Sequence, residues 1–149
     1  MRKFLVGCAT VLALSVCTYA FAAGQGSADD AKALAIKAAD YLKAVGPDKA
    51  LPEFSLKGGP WHDRDLYVTV EDSKGVMVAH GTNPGLIGRN VLELKDVDGK
   101  PFNREIQAVK DVAWVSFKWQ NPVTKTIETK TQYDIRVGDY VVGVGAYTN

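Results

Sequence analysis

Several side chains able to hold an anion fall on segments that otherwise read as β-strands. Tyr67 and Thr69 share one face of residues 65–71, and His80 ends the next segment of alternating polarity. Trp119 closes a third among polar neighbours, and Lys130 and Tyr133 lie on a fourth. An ammonium, an imidazole and two phenols converging under an apolar cover would hold a small carboxylate. Lys130 and His80 would supply charge-assisted hydrogen bonds, and the tyrosine hydroxyls would fix its orientation. Aromatic walls would pack the ligand's short apolar tail. Each residue also has a plainer role: Tyr67 and Tyr133 as half-buried strand residues, His80 before Gly81 as a strand end, and Lys130 on a solvated strand face.

Nothing in the sequence demands catalysis, so the chain reads as a non-enzyme without a cofactor. It has no GxSxG, P-loop, HExxH or CxxCH motif. His62 and His80, its only histidines, are too far apart in sequence to form a local metal motif. Asp96-Val97-Asp98-Gly99 hints at a calcium loop, but Leu94 stands where an earlier oxygen ligand is required, so a turn is expected.

The elements that must position these side chains follow from periodicity. Ser27 with Asp30 three residues on predicts a helix start, and Ala31, Leu34, Ala35, Ala38, Leu42 and Val45 recur at helical spacing up to Gly46-Pro47. Residues 47–60 read as irregular, with one short helical turn at most. The period then changes to two. Strands are expected over 65–71, 76–80, 112–119, 126–136 and 140–147, with a glycine-rich loop over 81–88, a helical turn over 90–95 and a short helix over 101–110. Short connections favour antiparallel pairing. The expectation is an α+β domain: a long N-terminal helix, about 27–46, on one face of a five-stranded antiparallel sheet within residues 63–148. The segment between the second and third strands would cover the other face.

Arg2 and Lys3, an uncharged apolar run over residues 4–19 and Ala20-Phe21-Ala22 form a secretory signal with cleavage expected after Ala22; an uncleaved anchor is the alternative. Both cysteines, Cys8 and Cys17, lie in that segment, so residues 23–149 contain none and form no disulfide. Those 127 residues suit one domain. Removal of Arg2 and Lys3 leaves sixteen basic against seventeen acidic residues, which provides no electrostatic footprint for nucleic acid. The expected location is periplasmic or secreted, with no membrane span after cleavage.

Six pieces in order resemble single Cache (type 2) sensor domains. Asp65-Leu66-Tyr67-Val68-Thr69-Val70 with Gly75-Val76-Met77-Val78-Ala79-His80 is similar to the family's opening hairpin. Asn83-Pro84-Gly85-Leu86-Ile87-Gly88-Arg89-Asn90 resembles the loop after the histidine, and Leu94 to Phe102 its next segment. Trp114-Val115-Ser116-Phe117-Lys118-Trp119 with Asn121-Pro122, then Lys130 to Tyr133, then Val142 to Tyr147 complete the pattern. The resemblance implies a long helix followed by a PAS-like antiparallel sheet and an extracytoplasmic sensor, whose relatives in chemoreceptors and histidine kinases bind acetate, propionate or pyruvate. It places Tyr67, His80, Lys130 and Tyr133 at pocket positions, with Thr69, Phe117 and Trp119 beside them. Thr69 stands where many members carry tryptophan, Gly81 where proline often follows the histidine, Phe117 where tyrosine is common and Thr129 where proline is common; pocket shape differs accordingly.

The expected function is an exported binding domain for a small organic anion, acting with a separate membrane receptor, histidine kinase or transporter. The alternative is an extracytoplasmic protein-interaction module whose pocket is filled by its own side chains.

Overall fold

The computed structural model describes residues 24–148; the export signal expected over residues 1–22 lies outside them. Helix α1, Ala28–Val45, starts at a reciprocal cap: the Asp30 N–H donates to Ser27 Oγ and the Ser27 N–H to Asp30 Oδ2, each at 3.1 Å. Its buried stripe is Ala31, Ala35, Ala38, Ala39 and Leu42. Four alanines out of five let the helix lie close against the sheet. The segment just ahead of it is tied down as well. The Gly26 N–H donates to Asp65 at 2.6 Å, the Gln25 carbonyl accepts from Arg64 at 3.1 Å, and the Gln25 amide reaches Glu128 at 3.3 Å. Asn121 bridges the buried carboxylates of Asp65 and Glu128.

Residues 47–60 are more regular than the sequence suggests. Helix α2, Pro47–Phe54, follows Gly46, whose φ of 79° turns the chain sharply. Pro47 sits in the first turn, where its missing N–H costs nothing. Pro52 removes one internal hydrogen bond, but Ala50 and Phe54, four residues apart, are both fully buried and hold the helix in place.

Strands β1 (His62–Asp63), β2 (Leu66–Asp72), β3 (Met77–His80), β4 (Val112–Gln120), β5 (Ile127–Val137) and β6 (Tyr140–Thr148) form one antiparallel sheet in the order β1-β2-β6-β5-β4, with β3 also on β2. Two-residue β1 is the strand beyond the five expected. Residues 90–95 form no helical turn. Asn90 makes a single bridge to Val76, and a turn closes from the Leu94 N–H to the Val91 carbonyl. The expected turn at Asp96 is present: its carboxylate accepts from the N–H groups of Asp98, Lys100 and Lys118.

Strand alternation sorts the sheet's two faces. Leu66, Val68, Val70, Tyr133, Ile135, Val142, Val144 and Ala146 pack under α1 and α2. The opposite face is covered by the segment after β3 and by helix α3, Phe102–Ala108, whose Phe102 and Ile106 meet Val115, Phe117 and Val141.

Candidate functional site

The covered face carries polar side chains where a plain core would be apolar. In register across the sheet, Phe117 faces Lys130 and Lys130 faces Tyr147. One step along, Gln132 faces Gly145; the next row joins Asp134, Gly143, Thr69 and His80. The two glycines of β6 make this arrangement fit. A methyl group added at Gly145 would overlap the Lys130 stem, and one at Gly143 would overlap the Gln132 amide and the Asp134 carboxyl. Neither has a positive φ. Their role is space: side chains from β5 lie across β6 as if in furrows.

Lys130 uses its furrow to bring Nζ 4.0 Å from the Tyr67 ring centroid, with the Tyr147 and Phe117 rings at 5.4 and 5.9 Å. The residue is 1% exposed. Among the described residues no carboxylate forms an ion pair with it, and no hydrogen bond is made by its three donors. Contact with an aromatic face offsets part of the desolvation of a buried ammonium, about 2 kcal/mol, and leaves its donors free.

His80 lies nearly parallel to Tyr67, with ring centroids 5.0 Å apart. Its Nδ1 accepts from the backbone N–H of Asn83 at 3.0 Å and of Thr82 at 3.3 Å. The ring proton therefore sits on Nε2. Burial, helped by the nearby Lys130 charge, pushes the imidazole down to about 3. His80 is thus a neutral donor, not the second cation that its residue type suggests. The phenols form a relay: Tyr67 and Tyr147 hydroxyls lie 2.9 Å apart, and Tyr147 donates to the Gln120 carbonyl at 3.1 Å. Burial first, then the neighbouring Tyr67, raises the Tyr147 phenol well above its ordinary range.

Further along the same face lie two acids. Burial pushes Asp134 up to about 8 and Glu71 up to about 7. The Gln132 amide donates to Asp134 Oδ1 at 2.7 Å, and Asp134 Oδ2 is buried without a partner. The Gln107 amide of α3 donates to Glu71 at 2.8 Å.

The structure brings Tyr67, Thr69, His80, Phe117, Trp119 and Lys130 around one cavity, closed on the cover side by Leu86, Leu94, Phe102 and Ile106. It does not bring Tyr133 there. Lys130 and Tyr133 are three residues apart on a strand, so they point to opposite faces; Tyr133 packs under α1, beside Lys32 and Trp114. The second phenol near Lys130 is Tyr147, which lies behind the cavity wall, hydrogen-bonded to Tyr67. Glu71, Gln132, Asp134 and the glycine pair are the other features that sequence reasoning missed. The available signal was the Gly143-Val144-Gly145 alternation inside an otherwise apolar strand.

The cavity is tight. It leaves about 20 Å³ for the centre of a water-sized sphere, enough for a water or two. Phe102 and Phe117 stack at 3.9 Å across it. Trp119 also lines an outer cleft of about 310 Å³ with Lys57, His62, Lys125 and Arg64, the last ion-paired with Asp30 and Asp63.

Residues 9–149 match the sequence profile of the family described as Single Cache domain 2. The chain belongs to that family. Solved Cache structures resemble it in fold. A methyl-accepting chemotaxis protein from Vibrio parahaemolyticus superposes with a TM-score of 0.68 at 21% identity, over 80% of this chain and 86% of that one. A Cache chemosensory domain described for its carboxylic acid recognition gives 0.66 at 24%, over 81% and 92%. A periplasmic sensor domain of a chemotaxis protein gives 0.61 at 22%, over 81% and 90%. No curated protein matches the chain.

Proposed function

We propose that this Cache domain is an extracytoplasmic sensor module that binds a small carboxylate. Lys130 carries the reading: a buried ammonium, free of any carboxylate among the described residues, held in an aromatic box with its donors unused. The ligand's carboxylate takes the place of that missing partner. The Tyr67 hydroxyl turns from Tyr147 toward it, and neutral His80 offers Nε2–H from the ring stacked on Tyr67. Phe117, Trp119 and Thr69 line the short tail. Because the cavity is narrow, the ligand has two or three carbons and enters with movement of Trp119 from the cationic outer cleft. His80 performs no catalytic step, since the nitrogen that could act as a base is already accepting two backbone N–H groups.

In this reading the export signal over residues 1–22 is removed after Ala22 and the domain works in the periplasm or outside the cell. A separate membrane receptor, histidine kinase or transporter completes the signal. Among the described residues no helix is long and apolar enough to cross a membrane.

The tightness of the cavity favours a second reading, a ligand-free interaction module. Its contact surface would include edge strand β4, where Val112 and Trp114 are exposed. A thermal-shift panel of acetate, propionate, pyruvate and glycolate separates the two. A ligand at a hundred times its Kd stabilises by about 2.7 kcal/mol, so at least one acid should raise Tm by several degrees in the wild type and leave Lys130→Met unmoved. No shift with any acid, or equal shifts in both proteins, would sink the carboxylate reading.

A further inference from the structure

The covered face holds more acid than one ammonium can balance. Among the described residues Lys130 is the one cation inside the aromatic box, while Asp134 and Glu71 lie on the same face and are nearly or wholly buried. The surrounding elements add little compensation. On β5, Arg136 sits at the Glu71 end, where its charge favours the ionised carboxylate, but its guanidinium hydrogen-bonds the Val109 and Gln107 carbonyls and forms no ion pair with Glu71. On β2, Asp72 adds a further negative charge beside Glu71. On β3, His80 is neutral. Strand β6 contributes glycines and the protonated Tyr147, and β4 contributes Val115 and Phe117. Helix α3 contributes the uncharged Gln107 and Asn103; its Arg104 and Glu105 are engaged at the surface by Glu93 and Lys100.

A ligand carboxylate at Lys130 would therefore be the third anion around one buried cation if both acids stayed ionised. Unpaired buried charge is more costly than taking up a proton. We propose that carboxylate binding is coupled to proton uptake by the Asp134–Glu71 pair, so that the domain reads a monocarboxylate and acidity together. This rests on the carboxylate reading above. Asp134 is the principal acceptor: Oδ2 is buried without a partner, Gln132 holds Oδ1, and the furrow over Gly143 places the group one row from Gly145, where Lys130 crosses. Its upward displacement in the empty pocket, with that of Glu71, points the same way. The same charge count selects against dicarboxylates, whose second group would bring a further negative charge.

Linkage fixes the sign. Below about pH 7 both acids already hold protons, so binding takes up none. Above about pH 8 bound ligand retains a proton that the empty pocket would have released, and affinity falls as pH rises. The test is calorimetric titration of the full chain with propionate at pH 6.0, 7.5 and 9.0, each in two buffers of different ionisation enthalpy. Expected are no proton uptake at pH 6.0, uptake approaching one proton at pH 9.0, and a Kd weakening by up to about tenfold per pH unit above pH 8. Asp134→Asn should at least halve the uptake, with Glu71→Gln as the second variant if the first fails to fold. Propionate binding with no proton uptake at pH 9.0 and a flat Kd would overturn the proposal while leaving the carboxylate reading intact. Uptake unchanged in both variants, or malonate bound as tightly as propionate at pH 9.0, would also overturn it. Absence of propionate binding at every pH would remove both.

Discussion

The two faces of this sheet are made by the same strands and solve opposite problems. Under α1 the inward positions are aliphatic or aromatic, and the four buried alanines let helix and sheet approach closely. Under α3 the same strands present Lys130, Gln132, Asp134, Thr69 and Glu71 beneath an apolar lid. One face is close-packed for stability. The other keeps buried polar groups whose hydrogen bonds are incomplete, an arrangement that costs stability and is expected where binding occurs. Residues one apart in sequence thus belong to different problems, and substitutions on the two faces should separate cleanly.

The largest effect comes from crossing the two. Lys130→Met should lower carboxylate affinity by at least a hundredfold in titration calorimetry while leaving Tm unchanged or higher, because a buried ion replaced by an apolar chain of similar length is often neutral or better. Ala38→Leu, on the opposite face, should do the reverse: a loss of about 1–3 kcal/mol from overpacking, with Kd unchanged. If Lys130→Met unfolds the domain, or Ala38→Leu alters Kd more than twofold, the separation of the faces is wrong.

Gly145→Ala tests the furrow. The added methyl meets the Lys130 stem and must displace it, so affinity should fall about tenfold, equivalent to about 1.4 kcal/mol. Wild-type affinity in this variant would mean that Lys130 does not need the path over β6.

The remaining effect, on stability and not on affinity, is its pH dependence. Asp134 and Glu71, at about 8 and 7 when folded, lie above the ~4 of the unfolded chain. The native state therefore binds more protons in that window, and stability falls as pH rises through it. His80, depressed to about 3, acts in the opposite sense but only below about pH 6.5. Between pH 6.5 and 8.5 the acids act alone. Tm should drop by about 10 °C, which corresponds to roughly 2–3 kcal/mol for a domain of this size. Asp134→Asn should flatten the profile; an equally steep profile in that variant would move the effect elsewhere.

Legibility from sequence followed the same division. Helix α1 could be read to within a residue because its cap, its stripe and its stop are local signals. The α+β class followed from the change of period after residue 60. Helix α2 was hidden by two prolines, whose cost is local while the burial that offsets it, Ala50 and Phe54, is tertiary. At the pocket, residue type was a better guide than position. Tyr133 was assigned by chemistry against strand parity, and parity prevailed. Asp134 and Glu71 escaped notice because a charged residue alternating along a strand reads as solvent-facing, and the expected cover over that face did not show which strand positions it would bury. The glycines, though their alternation is visible in the sequence, were not read as site residues because their contribution is room, not a functional group.

The ties at Gly26 and Gln25 have a mechanical consequence. Chain arriving at α1 is fastened to Asp65 and Arg64 before the helix begins, and Asp65 is two residues from Tyr67. The start of α1 and the foot of β2, the strand that carries Tyr67, are thus held as one unit. Loss of the Asp65 contact would free the first residues of the domain and the entry to β2 together.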